Sequence, residues 1–269
     1  VVNALLARKE IQINQAMDDG KTPLSMACQN GHVKVVNSLL AKKEIQINQA
    51  DDEGTTPLSV ACQNGHVKVV VALLANKDIQ INQADKDGYT PLSVACQEDH
   101  MNVVNELLAR KEIQINQAKN EGSTPLFVAC QNDNINVVDA LLAKKKIQIN
   151  QAKNDGCTPL LIACQNDCVK IVNTLLARKE IQINQAMDNG CTPLIIASYM
   201  GNAAVVKTLL ANASVTTSDT VFGKTAYDCT NANMRVACWS FADDNINEDG
   251  RITCQRLIGL FSTKREKND

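Results

Sequence analysis

Aromatic side chains are scarce in this chain, with one Trp, three Tyr and four Phe among 269 residues. The 45% hydrophobic share therefore falls on Ala, Val, Ile and Leu, and the core has to be aliphatic. No apolar run reaches the length of a bilayer span, so no membrane insertion is expected. Charge of one sign is lacking too. The 27 basic and 29 acidic residues leave a formal charge of -2, which offers no field for a phosphate backbone or an anionic lipid surface, and nucleic acid is not expected as a partner. Proline is limited to six residues, Pro23, Pro57, Pro91, Pro125, Pro159 and Pro193. Each is the centre of a Thr-Pro-Leu tripeptide, and every interval is 34 residues.

A fixed period of this size means one supersecondary unit stacked many times, which turns the functional expectation from catalysis toward binding. In the unit 51–84, Asp52-Glu53-Gly54 reads as a turn, with Thr56 as helix N-cap and Pro57 at the first helical position. A short helix follows through Leu58, Val60, Ala61 and Cys62. Gly65 ends it, and Val67, Val69, Val70, Leu73 and Leu74 form the apolar stripe of a second helix. Lys77 stands near its C-terminal end, where cations suit the helix dipole. Ile79-Gln80-Ile81-Asn82 alternates with period two and predicts an extended hairpin arm leading to the next turn. Isolated helices this short are unstable in water, so each unit depends on its neighbours.

The pattern Asp51-x-x-Gly54-x-Thr56-Pro57-Leu58, with Gly65-His66 and Leu73-Leu74, resembles the ankyrin repeat family over residues 1 to about 240. The resemblance implies an all-α fold: an ankyrin repeat solenoid of stacked helix-turn-helix units with protruding β-hairpin loops and a helical C-terminal cap. The expected organisation is the second half of a truncated repeat at 1–16, the array at 17–242 and a capping segment at 243–269. Val1-Val2-Asn3-Ala4-Leu5-Leu6 matches the middle of a later unit, so a preceding segment is expected to be missing. The chain departs from the family where His usually follows Thr-Pro-Leu: Ser25, Ser59, Ser93, Phe127, Leu161 and Ile195 stand there. The inter-helix Gly31, Gly65 and Gly201 become Asp99, Asp133 and Asp167 in the middle units, predicting a left-handed aspartate at a cost of about 1 kcal/mol each.

Three patterns could carry chemistry. Cys28-x-x-x-His32, Cys62-x-x-x-His66 and Cys96-x-x-x-His100 could suggest a thiol with its base or a pair of zinc ligands. The pair recurs with the repeat, whereas an active site is single, and units spaced by a helix diameter cannot share one ion at ~2.0 to 2.3 Å. Five cysteines (Cys28, Cys62, Cys96, Cys130, Cys164) share one repeat position, and roughly 8 to 10 Å between stacked helices exceeds the ~4.4 to 6.8 Å that a disulfide spans. They read as small buried thiols, reduced, which favours an intracellular, cytoplasmic address. The tip carboxylates read as a solvated edge. No enzyme activity and no cofactor are expected.

The resemblance places a protein or peptide partner on the concave face made by turn tips and first helices. Carried over residue by residue, the tips are Asp18, Asp19, Lys21, Asp52, Glu53, Lys86, Asp87, Tyr89, Asn120, Glu121, Asn154, Asp155 and Asp188. Ser123, Cys157 and Cys191 lie in the same tips, and Gln97, Glu98, Tyr199 and Met200 are added from the helix faces. Tyr89, Tyr199 and Met200 are the expected anchors, because exposed aromatics dominate interfaces. The recurring Gln29, Gln63, Gln97, Gln131 and Gln165 read as a structural polar ladder in preference to a repeated contact. The array is expected to be a monomer. At the C-terminal end, Asn245, Asn247 and Asp249 with Gly250 resemble an EF-hand calcium loop, but Arg256 stands where a bidentate glutamate should close it, so a metal-free helical cap is expected. A calcium-responsive adaptor, or the targeting region of a longer enzyme or channel, are the alternative readings.

Overall fold

The computed structural model describes residues 11–212 and 214–216, and the backbone of Thr220–Val221 and Lys224–Thr225. Among them are twelve α-helices in six pairs: α1 (Pro23–Gln29) and α2 (Val33–Leu40), α3 (Pro57–Gln63) and α4 (Val67–Leu74), α5 (Pro91–Gln97) and α6 (Met101–Leu108), α7 (Pro125–Gln131) and α8 (Ile135–Leu142), α9 (Pro159–Gln165) and α10 (Val169–Leu176), α11 (Pro193–Met200) and α12 (Ala203–Leu210). The last finger carries a two-stranded antiparallel ladder, β1 (Thr220–Val221) on β2 (Lys224–Thr225), with Thr220 opposite Thr225.

Every first helix starts at its Thr-Pro-Leu. The threonine hydroxyl accepts the backbone N–H three residues on, at 3.1 Å from Ser25, Ser59, Ser93, Phe127 and Leu161 and at 3.4 Å from Ile195. Proline follows, where its missing donor is harmless. Ser93 completes a reciprocal capping box with Thr90, whereas Phe127, Leu161 and Ile195 give that bond up and bury an apolar side chain instead. The second helices bury a stripe such as Val69, Val70, Leu73 and Leu74.

The chain divides into two compact units, Val1–Ala129 with Ala140–Ile147, and Cys130–Asp139 with Gln148–Asp269. In the first, α1, α3 and α5 pack side by side as one layer and α2, α4 and α6 as a second, each pair joined antiparallel. In the second, α9 packs on α11 and α10 on α12 in the same way. The core between the layers is aliphatic, with Leu24, Leu58 and Leu92 and the thiols Cys28, Cys62 and Cys96 almost wholly buried.

Asp99, Asp133 and Asp167 adopt the expected left-handed conformation, with φ of 53°, 56° and 56°. The Ile79–Asn82 segment differs from its expectation. It is a turn, closed by the Gln83 N–H on the Gln80 carbonyl at 3.2 Å, and not an extended arm. The Gln80 N–H finds its acceptor in the Asn48 side chain at 2.9 Å, so the segment satisfies its backbone without a strand partner. The period-two pattern reflects the alternate burial of Ile81 and exposure of Gln80 on that turn.

Candidate protein-binding surface

The finger of each unit is closed by its own backbone and then tied to the next. In the 51–55 finger, the Asp51 N–H donates to the Thr55 carbonyl at 3.1 Å, and the Asp51 carboxylate accepts from the Glu53 and Thr55 N–H groups at 3.1 and 2.8 Å. Asp85 repeats this with Asp87 and Tyr89 at 3.0 and 2.8 Å. Where Lys or Met opens the finger, the residue two further on takes over. Asp19 accepts from the Lys21 N–H, Asp155 from Cys157 and Asn189 from Cys191.

Successive tips are then linked through the main chain. In the first unit the N–H groups of Asp52, Lys86 and Asn120 donate to the carbonyls of Asp19, Glu53 and Asp87 at 3.1, 3.0 and 3.1 Å, and in the second unit Asp188 donates to Asp155 at 3.1 Å. The approach is close enough to require glycine: a Cβ on Gly20, whose φ is +80°, would stand 2.6 Å from the Asp52 nitrogen. The first unit thereby brings Asp18, Asp19, Lys21, Asp52, Glu53, Lys86, Asp87, Tyr89, Asn120 and Glu121 onto one row of tied tips. Asn154, Asp155 and Asp188 lie on the tips of the second unit.

Three tips among the described residues carry local ion pairs, the longest of them Lys153 with Asp155 at 4.0 Å. Lys21 Nζ lies 2.8 Å from Asp19, which lowers the carboxyl below its ordinary value chiefly through that hydrogen bond. Lys119 sits with its ammonium 4.0 Å from the centroid of the Tyr89 ring and bonds the Tyr89 hydroxyl and the Glu121 carboxylate at 2.9 Å each. Burial pushes Lys119 down, but its bonds to Tyr89 and Glu121 together leave it above the ordinary lysine value. Tyr89 is half-buried, its ring fixed from one side by a cation.

Several expected contact residues are not available to a partner. Tyr199 is 3% exposed, and Ser123, Cys157 and Cys191 are buried with it. Each lies on the inward-facing side of its element, a direction that composition alone does not reveal. Of the three expected anchors, Tyr89 and Met200 retain accessible surface. Gln97 and Glu98 stand at the end of α5, joined by a 3.0 Å bond from the Gln97 amide to the Glu98 carboxylate.

The described thiols belong to the core. All eight described cysteines are free and buried, and burial pushes the Cys28, Cys157 and Cys168 thiols up to about 12 and those of Cys62, Cys96, Cys130 and Cys164 higher. Two histidines bond to main-chain carbonyls instead. His66 and His100 place Nε2 3.0 Å from the Gln29 and Gln63 carbonyls of the preceding unit, bracing the end of one first helix against the start of the next second helix. Asn202 makes the equivalent brace to the Cys164 and Gln165 carbonyls. Among the described residues no group of three or more His, Cys, Asp or Glu is placed to hold a metal ion. Asn245, Asn247, Asp249 and Arg256 lie outside the described residues.

The side-chain ladder that sequence reasoning sought among the glutamines runs through asparagines. Asn14, Asn48, Asn82, Asn150 and Asn184 each donate from Nδ2 to a carbonyl of the next unit, on Glu44, Asp78, Glu112, Glu180 and Ser214, at 2.7 to 2.9 Å. Each also accepts an N–H two residues further on, from Gln46, Gln80, Gln114, Gln182 and Thr216, at 2.9 to 3.0 Å. Their invariance at the repeat period was the available signal. In the glutamine column, Gln29 and Gln63 act through their carbonyls.

Paired antiparallel helices in two layers, edged by tied fingers, make this a repeat-built scaffold whose accessible chemistry is side chains on a pinned backbone. A family model for ankyrin repeats matches three times, over residues 1–85, 78–153 and 145–219, and the chain belongs to that family. Domains of this family are typically non-enzymatic modules that mediate protein–protein interaction. Among solved structures, the human ASB11 ankyrin repeat domain is similar at 23% identity with a TM-score of 0.69, covering 90% of this chain and 98% of its own. The ankyrin repeat domain of Bcl-3, described as a unique member of the IkappaB protein family, is similar at 24% identity and a TM-score of 0.70, covering 79% of this chain and 95% of its own. No curated protein matches the chain. No helix among the described residues is long and apolar enough to cross a membrane.

Proposed function

We propose that this chain is a non-enzymatic scaffold that docks a protein or peptide partner on the face formed by its fingertips and the exposed ends of its first helices. The observation that carries this reading is the backbone link between successive tips. It pins the main chain and leaves the Asp18, Asp52, Glu53, Lys86 and Asp87 side chains exposed, so little ordering entropy is lost when a partner binds. Tyr89, held from one side by Lys119, is the anchor of the first unit, and Asn120 and Glu121 extend the contact on the next tip. Gln97 and Glu98 border it at the helix end. Asn154, Asp155, Asp188 and Met200 are the corresponding contacts in the second unit. The reduced thiols favour a cytoplasmic setting, and the monomer is the working form.

Affinity capture followed by quantitative mass spectrometry tests the reading, comparing the native chain with a Glu53→Ala, Tyr89→Ala double variant. Specific partners should fall at least tenfold in recovery with the variant, while its thermal unfolding stays close to native. Equal recovery of every partner by both proteins overturns the assignment.

A further inference from the structure

The sequence following the second apolar stripe of each repeat recurs: Arg8-Lys9-Glu10, Lys42-Lys43-Glu44, Asn76-Lys77-Asp78, Arg110-Lys111-Glu112, Lys144-Lys145-Lys146, Arg178-Lys179-Glu180 and Asn212-Ala213-Ser214. Five of these seven copies end in an acid, and the last ends in Ser214. The fifth ends in Lys146, a reversal of two charge units relative to Glu112 and Glu180, which hold that position in the copies on either side of it in sequence. The reversal has no partner in the packing that explains it, since Lys145 and Lys146 are exposed and no ion pair binds either of them among the described residues.

Two bonds fix this loop against the one before it, all within the first compact unit. Lys144 Nζ donates to the Leu108 carbonyl at the end of α6, at 3.0 Å, and Asn116 Nδ2 donates to the Lys146 carbonyl at 2.8 Å. Lys144 is thereby occupied as a helix-end cap. Lys111, Lys145 and Lys146 are left exposed on pinned backbone, with Arg110 half-buried beside them and Glu112 the one carboxylate in the two loops. A cationic patch on ordered main chain differs from a solvated lysine tail in having little entropy to lose.

We propose that the 110–112 and 144–146 loops form a second docking surface, separate from the fingertips, for a short acidic segment of a partner protein. Its extent decides the class of partner. Glu44 and Asp78 occupy the Lys146 position in the two earliest described units, so the patch ends within about two repeats of roughly 8 to 10 Å each. That length suits a few residues of extended chain at ~3.3 Å per residue. An anionic membrane or a nucleic-acid backbone engages cations over a wider area and would meet the flanking acids.

Fluorescence anisotropy of a labelled twelve-residue polyglutamate peptide, titrated with the whole chain, tests this. The variant Lys146→Glu installs the residue that the 42–44, 110–112 and 178–180 loops already carry, so it is compatible with the fold, and an unchanged melting temperature verifies that. Lys146→Glu should weaken the peptide at least tenfold, while Lys43→Ala in the 42–44 loop and Tyr89→Ala on a fingertip leave it within twofold. Raising the salt from 50 to 200 mM should weaken it as well. No saturable binding by the native chain, equal binding by Lys146→Glu, or tighter Lys146-dependent binding of phosphatidylserine vesicles or a single-stranded oligonucleotide overturns the proposal. Survival of this binding in the Tyr89→Ala variant separates it from the fingertip reading.

Discussion

Gly31 and His66 are matched in size across adjacent units: a Cβ on Gly31 would stand 2.9 Å from Cε1 and Nδ1 of the His66 ring. Gly65 and His100 repeat the relationship at 2.8 Å. In the second unit the glycine is replaced by Asp133 and Asp167, and the histidine position one unit later holds the smaller Cys168 and Asn202. A bulky brace and a backbone that carries a side chain do not occur together in these four pairs.

Gly31→Ala should therefore destabilise the chain by about 1 to 3 kcal/mol, combining overpacking with a strained positive φ. Adding His66→Asn should recover part of the loss, since Asn202 shows that asparagine can make the same brace. A double-mutant cycle by urea denaturation reads the coupling, expected at 0.5 kcal/mol or more on the order of contacting pairs. Strict additivity would remove the size-matching argument.

The left-handed aspartates should cost stability locally. Asp133→Gly and Asp167→Gly each relieve a positive φ and should stabilise by up to about 1 kcal/mol. Native-state hydrogen exchange should show amides of α8 and α10 less protected than those of α2 and α4, and slowed in these variants.

Adjacent residues in one loop should respond with opposite sign. Asn82 makes two bonds to the next unit, so Asn82→Ala should destabilise by about 1 to 3 kcal/mol. Gln83, its neighbour, buries its Oε1 with no protein partner, so Gln83→Met should be neutral or stabilising by about 1 kcal/mol. Thermal unfolding of the two variants distinguishes them directly.

Alkaline pH should unfold the array through its thiols. Cys28, Cys157 and Cys168 have an ordinary value of 9.0 and are pushed up to about 12 by burial, so the unfolded chain loses these protons first. Stability from this source is complete below pH 9 and declines as the pH rises toward 12, by up to about 1.4 kcal/mol per pH unit for each thiol. Iodoacetamide mapping at pH 8 should leave the eight described cysteines unmodified until denaturant is added. Native labelling of Cys62 or Cys96 would contradict their burial.

The architecture was legible because its signals are local and repeated. Thr56 and Pro57 announce a helix start whatever surrounds them, Val69 to Leu74 announce an apolar stripe, and the 34-residue period announces stacking, since helices of seven or eight residues cannot stand alone. Asp99, Asp133 and Asp167 were read as left-handed for a similarly local reason, the position of a glycine in sister units. Directions and partnerships across units needed the tertiary structure. Tyr199 and Cys191 sit at repeat positions expected to be exposed yet turn inward. Asn82 and Gln83 differ little in composition, but one reaches two backbone groups of the next unit and the other reaches none. His66 beside Cys62 looked like a thiol and its base, and instead spans to a carbonyl 37 residues earlier. A repeat specifies its own unit through short-range sterics and hydrogen bonding, whereas the contacts between units depend on which atoms stacking brings within about 3 Å, and only the folded chain decides that.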